Sequence, residues 1–468
     1  MKTKKLYNSL LLVLLIWFGT ACTKEDLGTT GNVENGKTIF SFETIFDYNT
    51  RTTFTDERQL KWVEGDMLGI YSDAGDINIK VPYVNGQPFQ AELSADSKEV
   101  YVYYPFNAHE GSSYLNELTD FELPIRIFQT QEQAGILNGE NIPMWSKATL
   151  TEHEATELVF EPKASVIAFC VYGVSESVTS VTFKSNYESA SGDWRMNLTN
   201  GKYYEISSYS SAMVGLRIPF KAGSKEEGLK NRIYLAVAPK NYSYGGTIIV
   251  TTTNHVYTFQ VGAIDMSDVY KVQPISLNLA NGVRTDLEDF TERFVDTNFR
   301  RNLLSVVDAN HDNIISSVEA QTIERVEAVG LSIETLDGIE NLSNLGYLDC
   351  SINQLRKIDV SKNTALYGLT CSCNQLTELN VSNNPYLSNL HCNENLLTEI
   401  DLSKNHHLGY LICSDNKLEQ VDISQCRESM GWVECDPQNI SGLFTLIKRN
   451  DQEIQELELP ENSKIIIK

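Results

Sequence analysis

This sequence has no apolar run long enough to span a bilayer: the stretch Leu10 to Phe18 near its start holds nine residues, against the ~20 that a transmembrane helix needs. Cations are scarce, with 38 Lys and Arg facing 62 Asp and Glu for a formal net charge of −24. Such a balance repels phosphate backbones and anionic lipid surfaces, so nucleic acid is excluded as a partner. The seven histidines are scattered, and none forms a His-Glu-x-x-His zinc motif. A Gly-x-Ser-x-Gly elbow and a glycine-rich phosphate loop are also missing, and abundant carboxylates do not by themselves make a glycosidase pair. The expectation is a protein that is not an enzyme.

What is present, most plainly, is a repeat. The phrases Leu345-Gly-Tyr-Leu-Asp-Cys350, Leu366-Tyr-Gly-Leu-Thr-Cys371, Leu387-Ser-Asn-Leu-His-Cys392 and Leu408-Gly-Tyr-Leu-Ile-Cys413 are each followed by an asparagine, at 353, 374, 395 and 416, with a period of 21 residues. That period marks a solenoid, whose units bury their apolar faces only against neighbours. The pattern resembles leucine-rich repeats with Cys at the third strand position and a second apolar strip at Ile358, Val360, Leu379, Val381, Ile400, Leu402, Val421 and Ile423. A looser first repeat is expected from Ile323, Val326, Leu331, Ile333, Leu336, Ile339 and Leu342. Past Cys426 and Cys435 the repeat decays, and a cap is expected with Gly442–Arg449 as a helix and Ile454–Lys468 as a closing edge. The cysteines, stacked at the ~4.8 Å strand spacing, offer no tetrahedral cage for zinc and read as small buried hydrophobes. The asparagines read as scaffold that satisfies backbone groups in the turns.

The N-terminus reads as a targeting segment: Lys2, Lys4 and Lys5, the apolar run, then Gly19-Thr-Ala-Cys22. This resembles the lipobox of bacterial lipoproteins, with Gly19 where Leu is commoner. The resemblance implies removal of residues 1–21, lipidation of Cys22 and membrane attachment through that lipid. Lys24-Glu-Asp26 resembles the short signal that directs some Gram-negative lipoproteins to the outer face of the outer membrane. Residues 22–37 read as a flexible tether.

Between 38 and 285 helical periodicity is almost absent. Short runs rich in Val, Ile, Thr, Tyr and Phe, such as Thr38-Phe42, Val100-Tyr104, Ser165-Val171, Val178-Phe183, Ile233-Val237 and Thr247-Thr253, argue for β-sandwiches. Arg51-Thr-Thr-Phe54, the run from Trp62 through Gly65-Asp66 to Tyr71, Tyr103-Tyr-Pro105 and Tyr234-Leu-Ala-Val-Ala-Pro239 resemble the fimbrillin-like family of Gram-negative surface lipoproteins. That resemblance implies two stacked sandwich subdomains, here 38–155 and 156–285, and a role in fimbriae, their anchors or related adhesins. Trp62, Ile70 and Tyr103 read as core.

Composition changes at Thr285. Phe299 and Leu303 read as one helix face, followed by Asp308-Ala-Asn310-His-Asp312-Asn313-Ile314-Ile-Ser316-Ser-Val-Glu319. Oxygen-bearing side chains fall at loop positions 1, 3, 5, 9 and 12 with an apolar residue at 8, which resembles the EF-hand loop. The resemblance implies calcium held by Asp308, Asn310, Asp312, the Ile314 carbonyl, Ser316 and Glu319, as a structural ion in a joint over 286–322. Asn313 stands where Gly is usual, and Asn tolerates positive φ next best. Ser316-Ser-Val-Glu319 is equally a capping box that starts a helix with no metal.

The fold class is therefore mainly β and multidomain: two fimbrillin-like sandwiches, an EF-hand-like joint, and a leucine-rich-repeat domain over 323–468. Solvent-facing strand positions of the repeats should be Tyr347, Asp349, Gly368, Thr370, Asn389, His391, Tyr410 and Ile412. They form a polar and aromatic strip of the kind repeat proteins use for a protein or glycan ligand, or simply solvated strand residues. Two functions remain open: surface adhesion or ligand binding through this strip, and a structural, anchor or accessory part among fimbrial subunits.

Overall fold

In the strand Phe89–Ser94, Phe89, Ala91 and Leu93 are buried while Gln90 and Glu92 are exposed; this two-residue period is what lays one strand face on a core. A computed structural model describes residues 37–46, 66–84, 87–104, 121–122, 128–131, 143–150, 155–191, 194–197, 199–200, 202–205, 209–267 and 272–468. Cys22, the segment 1–21 expected to be removed, nearly all of the expected tether, Arg51–Phe54, Trp62 and Pro105 lie outside these residues.

The described chain is mainly β, and it divides into two compact units: Met1–Leu123 with Ile142–Lys163 and Arg195–Tyr204, and Pro124–Asn141 with Ala164–Trp194 and Glu205–Lys468. In the first unit a seven-stranded sheet runs in the order Ile79–Pro82, Met67–Ser72, Glu99–Tyr104, Met144–Thr149, Thr156–Pro162, Lys37–Phe46, Phe89–Ser94. Ile70 and Tyr103 are fully buried as expected, and the Tyr103 ring covers Gly69, where a Cβ would lie 2.0 Å from it. The expected seam between residues 155 and 156 falls just before a strand of this sheet. Thr156–Pro162 pairs parallel to Lys37–Phe46, with Leu158 and Phe160 fully buried, and the first unit extends to Lys163.

In the second unit a six-stranded sheet (Val283–Asp286, His255–Val261, Gly246–Thr252, Ser177–Ser185, Ser211–Lys221, Phe128–Gln131) and a three-stranded one (Ile233–Val237, Ser165–Tyr172, Val272–Asn278) bury side chains in one core that includes Ile167, Phe169, Val181, Phe183, Val214 and Val250. Phe128–Gln131 reaches this unit from an earlier part of the chain. Gln129 and Gln131 hold it there by accepting from the Ala236 and Tyr234 amides, each at 2.9 Å.

The repeats form a parallel sheet in the order Arg325–Glu327, Tyr347–Asp349, Gly368–Thr370, Asn389–His391, Tyr410–Ile412, Ser429–Glu434, Glu453–Glu458. The joint is continuous with them. Helix Thr297–Val307 buries Phe299, Leu303 and Val307 in the same core as the repeat leucines, so the segment closes the N-terminal end of the stack. Asp296 caps that helix, accepting from the Asn298 and Phe299 amides, and its other oxygen accepts from the Glu334 amide at 2.8 Å. Of the apolar residues expected in the first repeat, Leu331 is exposed and the rest are buried.

The C-terminal helix expected at Gly442–Arg449 is instead a strand, Phe444–Lys448. Phe444 and Leu446 alternate inward, and the strand pairs parallel with Gln420–Asp422 and Ser463–Ile467. Both walls of the solenoid thus continue past the decay of the sequence pattern.

Two asparagine columns brace the stack. Asn374 donates to the carbonyls of Cys350, Cys371 and Ser372 and accepts from the Leu355 amide, and Asn353, Asn395 and Asn416 make equivalent bonds. Gln438 continues this column where the repeat loses its Asn. A second column, Asn363, Asn384 and Asn405, is fully buried on the other wall, each donating to two carbonyls of earlier turns. Cys426 interrupts it, and Gln452 supplies amide donors to Ile423 and Arg427 instead.

Candidate functional site: the face of the repeat sheet

Each short repeat strand reads x-Leu-x. Leu348, Leu369, Leu390 and Leu411 are buried, which turns the flanking residues outward in two columns. The eight strip residues are placed together on this face. Tyr347, Asp349, Thr370, Asn389, His391 and Ile412 are half-buried and Tyr410 is exposed.

Gly368 departs from the expectation of a solvent-facing contact. It is buried because the Tyr347 ring lies across it, so that a Cβ at 368 would sit 2.6 Å from the ring. The relation is reciprocal: the Tyr367 ring lies over Gly346 of the preceding rung, where a Cβ would meet it at 2.8 Å. The two tyrosine rings stand 6.3 Å apart between centroids, tilted by 41°. Tyr410 likewise lies over Gly431, with 2.6 Å left for a Cβ. Glycine floors therefore let tyrosines lie across the strands and turn ring faces outward.

Tyr367, Arg325, Trp432 and Glu434 belong to the face and fall outside the eight. The sequence marks the aromatics among them: four rungs carry Gly346-Tyr347, Tyr367-Gly368, Gly409-Tyr410 and Gly431-Trp432, an aromatic beside a glycine, while the rung between the second and third carries Ser388-Asn389. Arg325 lies 4.0 Å above the Tyr347 ring centroid and donates to Glu327 at 2.6 Å and 2.8 Å. The second column runs Glu327, Asp349, Thr370, His391, Ile412, Glu434 and Glu458. Burial lowers the His391 imidazole below its usual value, against the opposing pull of Asp349 and Glu434. Asp349 is held by the Ser351 amide and hydroxyl, at 3.0 Å and 2.6 Å.

Behind this face Cys350, Cys371, Cys392, Cys413 and Cys435 form a buried column of free thiols, with the last two sulfurs 3.5 Å apart. Burial pushes the Cys392 thiol up to about 12. A thiol held neutral is neither nucleophile nor metal ligand.

The loop 308–319 forms a second candidate. Asp308 accepts from the Asp312 and Asn313 amides, Asp312 from the Ile314 amide and from the Asn310 side chain. His311 and Asn313 both adopt positive φ, 57° and 61°, so Asn313 occupies the left-handed turn anticipated for it. The capping box is formed as well: Ser316 donates from its amide and hydroxyl to one Glu319 oxygen, each at 2.8 Å, while the Glu319 amide donates back to the hydroxyl. The other oxygen, Oε1, is buried without a hydrogen-bond partner. Burial raises Glu319 to about 8, against the Ser316 bonds, with Asp312 and Asp308 adding to the rise. Among the described residues no three His, Cys, Asp or Glu side chains converge as a metal centre. The backbone at Ala309 packs on Gly215, and Glu324 accepts from the Ser210 hydroxyl at 2.7 Å, so loop and first rung rest on the second unit's own sheet.

No family model and no curated protein matches the chain. Among solved structures it is similar to the functional domain of InlJ from Listeria monocytogenes, described as including a cysteine ladder. The two are 28% identical over 37% of this chain and 39% of that one, with a TM-score of 0.30, so the match spans well under half of that protein. It is also similar to two proteins provisionally described as cell adhesion proteins. One, from Bacteroides uniformis, is 12% identical over 53% of this chain and 97% of that one, TM-score 0.34. The other, from Bacteroides ovatus, is 14% identical over 48% and 87%, TM-score 0.34.

Proposed function

We propose that the chain is a cell-surface adhesion or ligand-binding protein that acts through the face of its repeats, without catalysis. The observation that carries this is the set of tyrosines seated on glycines. A buried core has no need to lay aromatic rings across a solvent-facing sheet, whereas rigid aromatic faces are what binding surfaces are built from. In this reading Cys22 carries the lipid that holds the protein at the outer membrane, and the sheets, as fimbrillin-like sandwiches, are the stalk. The test is adherence of the full chain to epithelial and bacterial cells. Asn389→Lys, placing a long cation mid-strip, should abolish adherence, and unchanged adherence contradicts the reading.

A fimbrial role is the second reading. Lys37–Phe46, the first described strand, is an interior strand flanked by Phe89–Ser94 and Thr156–Pro162. Its removal would open a strand-accepting groove. Trimming the chain before residue 47 should then yield polymers by size-exclusion chromatography; a trimmed chain that stays monomeric speaks against it.

Calcium at 308–319 belongs to the same proposal, supported by the buried Glu319 oxygen without a hydrogen-bond partner at the end of a loop rich in oxygen-bearing side chains. Binding to the native state alone would stabilise by about 2.7 kcal/mol at a hundredfold excess over Kd. Calcium should raise the melting temperature relative to EGTA, and Glu319→Gln should remove the difference; an identical melt in both media contradicts it.

A further inference from the structure

The face already contains one cation held in a specific way. Arg325 lays its guanidinium on the Tyr347 ring and sets it against the Glu327 carboxylate on the same strand. Ring quadrupole and carboxylate act together on one positive charge. The same chemistry recurs at the other end of the strip. Tyr410 lies over Gly431, Trp432 pairs with it on the next strand, and Glu434 stands two residues beyond Trp432 with Glu458 beside it. Trp432 Nε1 has no hydrogen-bond partner.

The charges of the face are unbalanced. Glu327, Asp349, Glu434, Glu456 and Glu458 line the outward columns, opposed by Arg325, which Glu327 neutralises, and by Arg427, which lies over Gly409. The chain as a whole is at −24. Aromatic faces beside carboxylates, at the strand repeat of ~4.8 Å, suit side chains that combine an apolar or planar stem with a positive head.

We infer that the strip from Tyr347 to Trp432 takes a basic segment of a protein partner, laying Lys or Arg side chains on Tyr410 and Trp432 against Glu434 and Glu458 as Arg325 lies on Tyr347 against Glu327. This rests on the adhesion reading and names the partner class for the same face. Electrostatic steering follows from it: association should be fast and should weaken as salt screens the carboxylates.

The test is calorimetric titration of the full chain with octa-arginine and octalysine, and separately with neutral hexasaccharides of glucose. Binding of the peptides should weaken about tenfold in Tyr410→Ser and in Glu434→Gln, with melting temperatures unchanged. Glu399→Gln, which removes an exposed carboxylate outside the strip, should bind as the parent does. Equal weakening in all three variants, or none in Tyr410→Ser, would mean diffuse attraction to an acidic protein and overturns the inference. Failure of both peptides also overturns it. Hexasaccharide binding that Tyr410→Ser abolishes would replace the partner class with a glycan and leave the adhesion reading standing. Cell adherence unaffected by Asn389→Lys removes the adhesion reading itself.

Discussion

The sheet regions and the repeat stack bury apolar residues by opposite rules. In the sheets, hairpins such as Gly246–Thr252 with His255–Val261 are joined by partners distant in the chain: Phe42 lies beside Thr156, and Ile167 pairs with both Leu235 and Gln273. In the stack, each strand pairs with the next repeat, and buried asparagines carry hydrogen bonds from one turn to the following. The first arrangement is held by side-chain packing that must outweigh the entropy of closing long loops, the second by nearest-neighbour interfaces. A face built on the second kind can change its outward residues without disturbing what lies beneath, because the fold is written into Leu, Cys and Asn positions that are buried, Asn374 alone of the ladder asparagines being half-buried.

The sharpest way to break that comparison is to injure each region and watch the other. Phe42→Ala removes a fully buried ring from the first unit and should cost about 3 to 5 kcal/mol. Calorimetry should show the transition of that unit lowered and that of the repeats unmoved. Asn384→Leu takes one of two donors from each of the Val360 and Asn363 carbonyls, which keep the Asn363 and Leu366 amides, at about 0.5 to 1.5 kcal/mol for each hydrogen bond lost. Here the repeat transition should fall alone. A common shift of all transitions in either variant would mean that the regions unfold together.

Asp296 tests how the stack is closed. Burial raises its carboxyl, but amides of Glu334, Phe299, Asn298 and Thr335 outweigh that and hold it below the usual range. A lowered native value means that the unfolded chain binds the proton more readily, so this stabilisation is present above the unfolded pKa of about 3.9 and is lost as pH falls through the native value. Asp296→Ala should therefore cost about 1 to 2 kcal/mol at pH 7, as loss of a helix cap does. Its deficit in denaturant melts should shrink as the medium is made more acidic than pH ~3.9; a deficit independent of pH contradicts this.

The smallest effect should be a gain. Ile352, Cys373, Glu394 and Asp415 each precede a ladder asparagine with φ between 50° and 56°. A β-branched residue is the costliest of these in the left-handed region. Ile352→Asn, at an exposed position, should stabilise the repeats by about 1 kcal/mol, read as a higher denaturant midpoint; no change would mean the turn carries no strain.

Much of this comparison was legible in the residues. The 21-residue period, the Leu and Cys register and the outward strip follow from repetition alone, because each landmark is reinforced four times. What stayed hidden was whatever appears once. The entry of Phe128–Gln131 into the second unit's sheet depends on pairing with Ser211–Lys221, which no local pattern announces. Gln438 and Gln452 replace asparagines from shifted positions, so the stack outlasts its sequence signature, and the strand Phe444–Lys448 stands where a helix is expected. In the face itself, seven of the eight strip positions reach solvent as alternation implies. The role of Gly368 as floor was not readable, since it depends on a ring belonging to the neighbouring rung.

The central claim is that function resides on this face and fold resides behind it. The most direct measurement is adherence of the Tyr347→Ser/Tyr410→Ser chain to cells, taken well below its melting temperature. The account predicts a loss of about tenfold or more, as expected on removing two aromatic anchors, with the melting temperature of the parent retained. Adherence equal to the parent, from a chain that melts as the parent does, would contradict it.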